Sequence, residues 1–153
     1  LEFASPAQLT VKLDPPLGKA PLDALLFLSL AEHATVAGTP ADPLPLLVHA
    51  AALSAARTLQ SLGARFPGLE GATLSRHLRE AARDRTRFFR AALWRHESPA
   101  DRAARRQPAE GVMGRLELLA DPLLAWCLEC GALLGVGGRT SHGSGRIRLH
   151  PLH

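Results

Sequence analysis

Cysteine and lysine are both scarce in this chain. The only cysteines, Cys127 and Cys130, fall in an apolar segment with helical spacing. Their C-x-x-C spacing can serve redox or metal chemistry. A zinc site, however, needs about four ligands and no second pair is present, so core packing is expected. No H-x-x-x-H, H-E-x-x-H or acidic triad supplies metal ligands, and neither a metal nor a cofactor is expected. Long apolar runs are missing too. Pro43, Pro45 and scattered polar residues interrupt every stretch that approaches the ~20 residues of a membrane helix. Residues 1–11 lack the basic flank and continuous apolar core of a signal peptide, so a cytoplasmic location without a membrane partner is expected.

What is present is arginine. Sixteen of the eighteen basic residues are Arg, whose planar fork of donors suits phosphate and stacks on bases, whereas lysine acts as a point charge. A high-GC genome would also enrich arginine, but it does not explain clustering. Residues 1–75 carry four bases against six acids, a net charge of −2, and residues 76–153 carry fourteen arginines against eight acids, a net charge of +6. The second half is therefore the one suited to a polyanion. With 153 residues, 46% of them hydrophobic, the chain can bury one sizeable core, and residues 1–153 are read as a single domain.

Apolar residues at positions 1, 3, 9, 11 and 13 predict an opening strand kinked at Pro6, and a proline there suggests a sheet edge. Asp14 to Gly18 is a turn. A first helix is predicted from Pro21, through Leu22, Leu25, Leu26, Leu30 and His33, to Gly38-Thr39-Pro40. A second runs from Pro43 to Leu62, with Asp42 as its N-cap and Gly63 as its stop. Residues 74–93 place Leu74, Leu78, Ala81 or Ala82, Phe88 or Phe89 and Ala92 at three-to-four spacing among arginines, predicting a basic amphipathic helix. Residues 94–111 read as loop, with an ill-defined strand near 92–97. Residues 112–118 read as a strand, Asp121-Pro122 as a helix start, and residues 135–145 as a glycine-rich loop leading into a last strand at 146–149. The expected class is α+β: a βαββαβ plan with extra helices inserted after the first, two helices covering one face of an antiparallel sheet and the other face available to a ligand.

The segment Gly135-Val136-Gly137-Gly138-Arg139-Thr140-Ser141-His142-Gly143-Ser144-Gly145-Arg146 is similar to the C-terminal glycine-rich signature of CRISPR-associated RAMP proteins. Upstream, Arg102 to Gln107 followed by Gly111-Val112-Met113-Gly114 resembles the arginine-rich segment and glycine-framed strand of the Cas family numbered six, the endoribonucleases that process precursor crRNA. Residues 1–9 resemble the first strand of that family's second ferredoxin-like domain. The three anchors keep the family's order and span nearly the whole chain. The resemblance implies a ferredoxin-like (RAMP/RRM-like) domain, the C-terminal half of a two-domain protein. It would bind CRISPR repeat stem-loop RNA and support metal-independent endoribonucleolytic maturation of pre-crRNA. The implied partners are repeat RNA or crRNA, other Cas effector subunits, and an N-terminal domain that carries the usual catalytic histidine.

Glycines that turn through positive φ let backbone amides approach phosphate oxygens, and hydroxyls and arginines beside them add donors and charge. The candidate RNA-binding set from this loop is Gly137, Gly138, Arg139, Thr140, Ser141, His142, Gly143, Ser144, Gly145 and Arg146. A tight helix-to-strand connection with no ligand is the bland alternative. Arg102, Arg105, Arg106 and Gln107, in a loop between strands, complete the RNA-binding set. Arg76, Arg79, Arg83 and Arg85 fit a solvated helix face better. Trp94, Phe88 and Phe89 could stack bases, but aromatic residues on a helical stripe are more often core. Of the seven histidines, His33 and His49 are expected in packing, His77 and His96 on the surface, and His150 and His153 at the end of the chain. Only His142 remains as a weak catalytic candidate. Two further readings stay open: a non-catalytic crRNA-binding RAMP subunit of an effector complex, and a DNA-binding protein using residues 74–93 as a recognition helix.

Overall fold

The computed structural model describes residues 1–27, 33–97, 110–138 and 144–151. Among these, a four-stranded antiparallel sheet and four helices make an α+β domain. The sheet is built from β1 (Glu2–Ala7), β6 (Arg87–Glu97), β7 (Glu110–Leu119) and β8 (Ile147–Arg148), in the order β6-β7-β1-β8. Two small hairpins stand apart from it: β2 (Thr10–Lys12) with β3 (Lys19–Pro21), and β4 (Thr35–Val36) with β5 (Thr39–Pro40). The helices are α1 (Leu22–Phe27), α2 (Pro43–Ser61), α3 (Ala72–Asp84) and α4 (Pro122–Leu134).

Local chemistry sets the long helices. Pro43 opens α2 where its missing N–H costs nothing, and Gly63, at a φ of +98°, turns the chain away after its end. Asp42 occupies the N-cap position, but its side chain makes no capping bond. Asp121 does cap α4, its Oδ1 accepting from the Leu123 N–H at 3.0 Å. Ala51, Ala52, Ala55 and Ala56 of α2 are fully buried, and α2 packs most extensively against α4. With Phe3, Val112, Leu116 and Ile147 from the sheet they form one continuous core. At the other end of the layer Asp23 of α1, nearly buried, accepts from Arg95 Nε of β6 at 2.9 Å and ties the helix to the sheet.

Three expectations are corrected. The opening strand is not an edge: β1 lies between β7 and β8. It tolerates Pro6 because the register slips between Phe3 and Ala7, and a bulge is one of the few interior positions where a residue without an N–H breaks no ladder. The basic helix of 74–93 stops at Asp84, and residues 87–97 form β6 instead. Thr86 Oγ1 donates to the Ala81 carbonyl and closes the last turn, after which Arg90, Ala92 and Trp94 pair across from Glu117, Arg115 and Met113. Ten residues of β7 offer a ladder, and that pairing overrides the helix propensity of the Arg-Ala-Ala-Leu run. The first helix is over before Thr35, because Thr35–Val36 and Thr39–Pro40 pair as a hairpin; residues 28–32 of the expected helix lie outside the described residues. His33, expected in packing, is exposed.

Candidate nucleic-acid interface

The glycine-rich segment leaves α4 and returns to the sheet through a closed neck. Val136 N–H donates to the Gly145 carbonyl at 2.9 Å, joining the two sides of the loop at its base. Each side is then fastened to the chain's opening. Gly138 N–H donates to the Gln8 carbonyl and Gly145 N–H to the Pro6 carbonyl, both at 2.9 Å, and Arg146 N–H donates to Ser5 Oγ at 2.8 Å. A fourth bond comes from the helix layer, with Gly137 N–H donating to Ser54 Oγ of α2 at 2.7 Å. The bulge in β1 makes this possible, since residues 4–6, released from the β7 ladder, turn their polar groups to the neck.

The neck refines the expected anion cradle. The amides of Gly137, Gly138, Gly145 and Arg146 all donate within the protein, so at these positions glycine serves close approach of backbone to backbone. Contact with a ligand from these residues would run through the exposed Arg146 side chain and the exposed Gly138 edge. Ser144 is partly buried beside them. Arg139, Thr140, Ser141, His142 and Gly143 lie outside the described residues, as do Arg102, Arg105, Arg106 and Gln107. In sequence, residues 98–109 connect β6 to β7, and residues 139–143 fall between α4 and β8.

On the sheet face away from the helices, Arg90 neighbours Glu117, Trp94 neighbours Met113, and Arg115 and Arg148 flank Glu2. Trp94 is 52% exposed, which places it on a surface rather than in a core stripe. Glu2 accepts from His150 Nε2 at 2.6 Å, and this bond, more than the nearby arginines, holds its carboxyl below the usual range.

A second feature carries no motif in the sequence. A groove of about 1230 Å³ lies between α2 and the β2–β3 hairpin, and Gly137, Gly138, Ala37 and Arg79 are among the residues that line it. Lys12, Lys19, Arg57 and Arg79 line it, although all but Arg79 come from the acidic half of the chain.

The described histidines offer no general base at the neck. His49 is buried between α2 and α3, its Nε2 3.0 Å from the Ser75 carbonyl and 3.4 Å from Ser75 Oγ. A carbonyl only accepts, so Nε2 carries the proton. Burial pushes the imidazole down to about 4, against the hydrogen bond to Ser75, with Arg79 and Arg57 pushing the same way as burial. A histidine lowered in the folded state keeps its full contribution above the unfolded value of 6.5 and loses it as pH falls toward 4. Between about pH 7 and pH 5 the protein should therefore lose about 2 kcal/mol that a His49→Gln variant does not, read by urea denaturation at each pH. Parallel curves for the two proteins would place the proton elsewhere. Cys127, on the buried side of α4, has its thiol pushed up to about 11 by burial and by Cys130 beside it, so it stays protonated at neutral pH.

Among the described residues no three His, Cys, Asp or Glu side chains gather as a metal-ligand set, and no helix is long and apolar enough to cross a membrane. No protein-family model matches the chain, and no curated protein matches it.

Proposed function

We propose that this chain is an RNA-binding domain of ferredoxin-like topology, of the kind that forms the C-terminal half of RAMP endoribonucleases. It would hold CRISPR repeat stem-loop RNA for metal-independent maturation of pre-crRNA, with the catalytic histidine supplied from outside these residues. The observation that carries the reading is the neck: a glycine-rich loop flanked by arginines, clamped at its base by the first strand and by α2. Its support is the strand order β6-β7-β1-β8, in which the first and third strands of a βαββαβ unit are central and the extra helices are inserted before the second strand. A rigid base lets arginines on the loop meet phosphates without first ordering the chain, so less entropy is lost on binding.

The test is titration of a repeat hairpin RNA at several salt concentrations. Replacing Arg139 and Arg146 by glutamine should weaken binding about tenfold and lower the salt slope by about one for each phosphate left without its arginine. Unchanged affinity and slope in a folded variant would overturn the reading. Incubation of the same RNA in EDTA separates the enzyme from its alternative: a 2′,3′-cyclic phosphate product identifies a nuclease, and binding without cleavage identifies a crRNA-holding effector subunit. The duplex-DNA reading loses its main support, since α3 ends at Asp84, Arg83 is bound to Asp84 at 2.8 Å, and Arg87 and Arg90 belong to a strand.

A further inference from the structure

The chain's only two lysines, Lys12 and Lys19, face each other as a cross-strand pair on the β2–β3 hairpin. Like charges directly opposite destabilise a hairpin, so this pairing has a cost that a bound anion would remove. Both lysines stand exposed on one wall of the groove, and Arg57 of α2 and Arg79 of α3 stand on the other. The one acid among the described lining residues, Asp14, is committed to the turn beside it. Its oxygens accept from Thr35 Oγ1 at 2.7 Å, Gly38 N–H at 2.8 Å and Ala37 N–H at 3.0 Å, and these bonds hold its carboxyl below the usual range. Lys12 and Lys19 outnumber this one carboxylate on their wall, so the groove is cationic along both walls.

Its floor is different. Leu9, Val11, Leu13 and Leu46 are buried beneath it, Leu53 is partly so, and hydroxyls of Ser54, Thr58 and Ser61 follow one side of α2. A cleft with cations on both walls and hydroxyl donors along α2 fits the backbone of a single nucleic-acid strand, its phosphates against the walls. Gly137 and Gly138, which belong to the neck of the glycine-rich loop, also line the groove. Resting on the RNA-binding reading of that loop, we infer that this groove receives the single-stranded RNA flanking the stem-loop and directs it along α2, away from the loop.

Two labelled RNAs test this on the full chain: the hairpin alone, and the hairpin with a single-stranded extension of roughly eight nucleotides, within the span such grooves bind. The extended RNA should bind about tenfold tighter, and with a steeper salt slope. Replacing Lys12 and Lys19 by glutamine, or Arg57 and Arg79 by glutamine, should abolish that gain and leave the affinity of the hairpin alone unchanged. The lysine variant alters only exposed side chains of a small hairpin, so it decides the matter even where the arginine variant is unstable. A thiouridine-substituted extension should photocrosslink to residues 9–13 or 53–58. If the extension adds nothing, if its gain survives in the lysine variant, or if crosslinks fall elsewhere, the groove is not the path, while hairpin binding that disappears on replacing Arg139 and Arg146 would leave the loop's role intact. If neither RNA binds, both readings fall.

Discussion

Replacing Gly145 with valine should cost about 4 kcal/mol of stability, measured by urea denaturation followed through tryptophan fluorescence. Two effects add. Gly145 has a φ of +71°, a region that a β-branched side chain adopts only under strain. A Cβ there would also run into the Val136 carbonyl oxygen, the backbone group across the base of the neck. Backbone cannot swing aside as a side chain tip can, so the neck must open or the strand after it must shift. Gly68 separates the two contributions. It has a similar φ of +76° but nothing within 4 Å of an added Cβ, so Gly68→Ala should cost only about 1 kcal/mol. A loss at Gly145 no larger than at Gly68 would mean that the neck yields freely, and a rigid base for the loop would have to be abandoned.

Replacing Ala55 with leucine should cost about 3 kcal/mol and lower the melting temperature by roughly 6–12 °C. Ala55 is fully buried on α2, and a Cβ added to Gly131 of α4 would lie only 3.4 Å from the Ala55 Cβ. The helices meet through alanine and glycine with no slack for three more carbons. The same Gly131 position also lies against Val136 and Ile147, so forcing α2 from α4 would disturb the start of the neck and the last strand together. Leu133, on the same helix but 88% exposed, is the control: its replacement by alanine should change stability by less than about 0.5 kcal/mol. A melting temperature unaltered in Ala55→Leu would show that the two helices do not meet this closely.

The elements legible in the sequence are those whose ends carry their own chemistry. Pro43 and Gly63 bracket α2, Asp121 and Pro122 start α4, and both helices lie close to their expected bounds. Residues 87–97 are ambiguous by pattern because Phe88, Phe89 and Ala92 satisfy a helical stripe as well as a strand, and only the partner strand β7 settles the choice. The central place of β1 is hidden by Pro6, because a bulge is a property of two strands and leaves no mark on one. In the candidate site, the glycine-rich segment is visible, but the use of its amides is not: their acceptors, Pro6, Gln8 and Ser54, lie far away in sequence. The groove is least visible of all. Lys12, Lys19, Arg57 and Arg79 share no motif or spacing, and the net charge of the first half, which holds all but Arg79, points away from them. Their one local signal is the placement of both lysines just outside the turn at Asp14 to Gly18.

The two rims of the sheet are guarded differently. β8 contributes only two residues, too few to template the addition of a foreign strand. β6 is eleven residues long and carries Phe88, Phe89 and Trp94, a composition that would invite stacking of one molecule on the next. Arg87 and Arg90 bracket Phe88 and Phe89, and the irregular register between Phe88 and Arg90 spoils the strand's flatness. Arginine on this strand thus acts as a gatekeeper against self-association, a duty independent of any polyanion the domain binds.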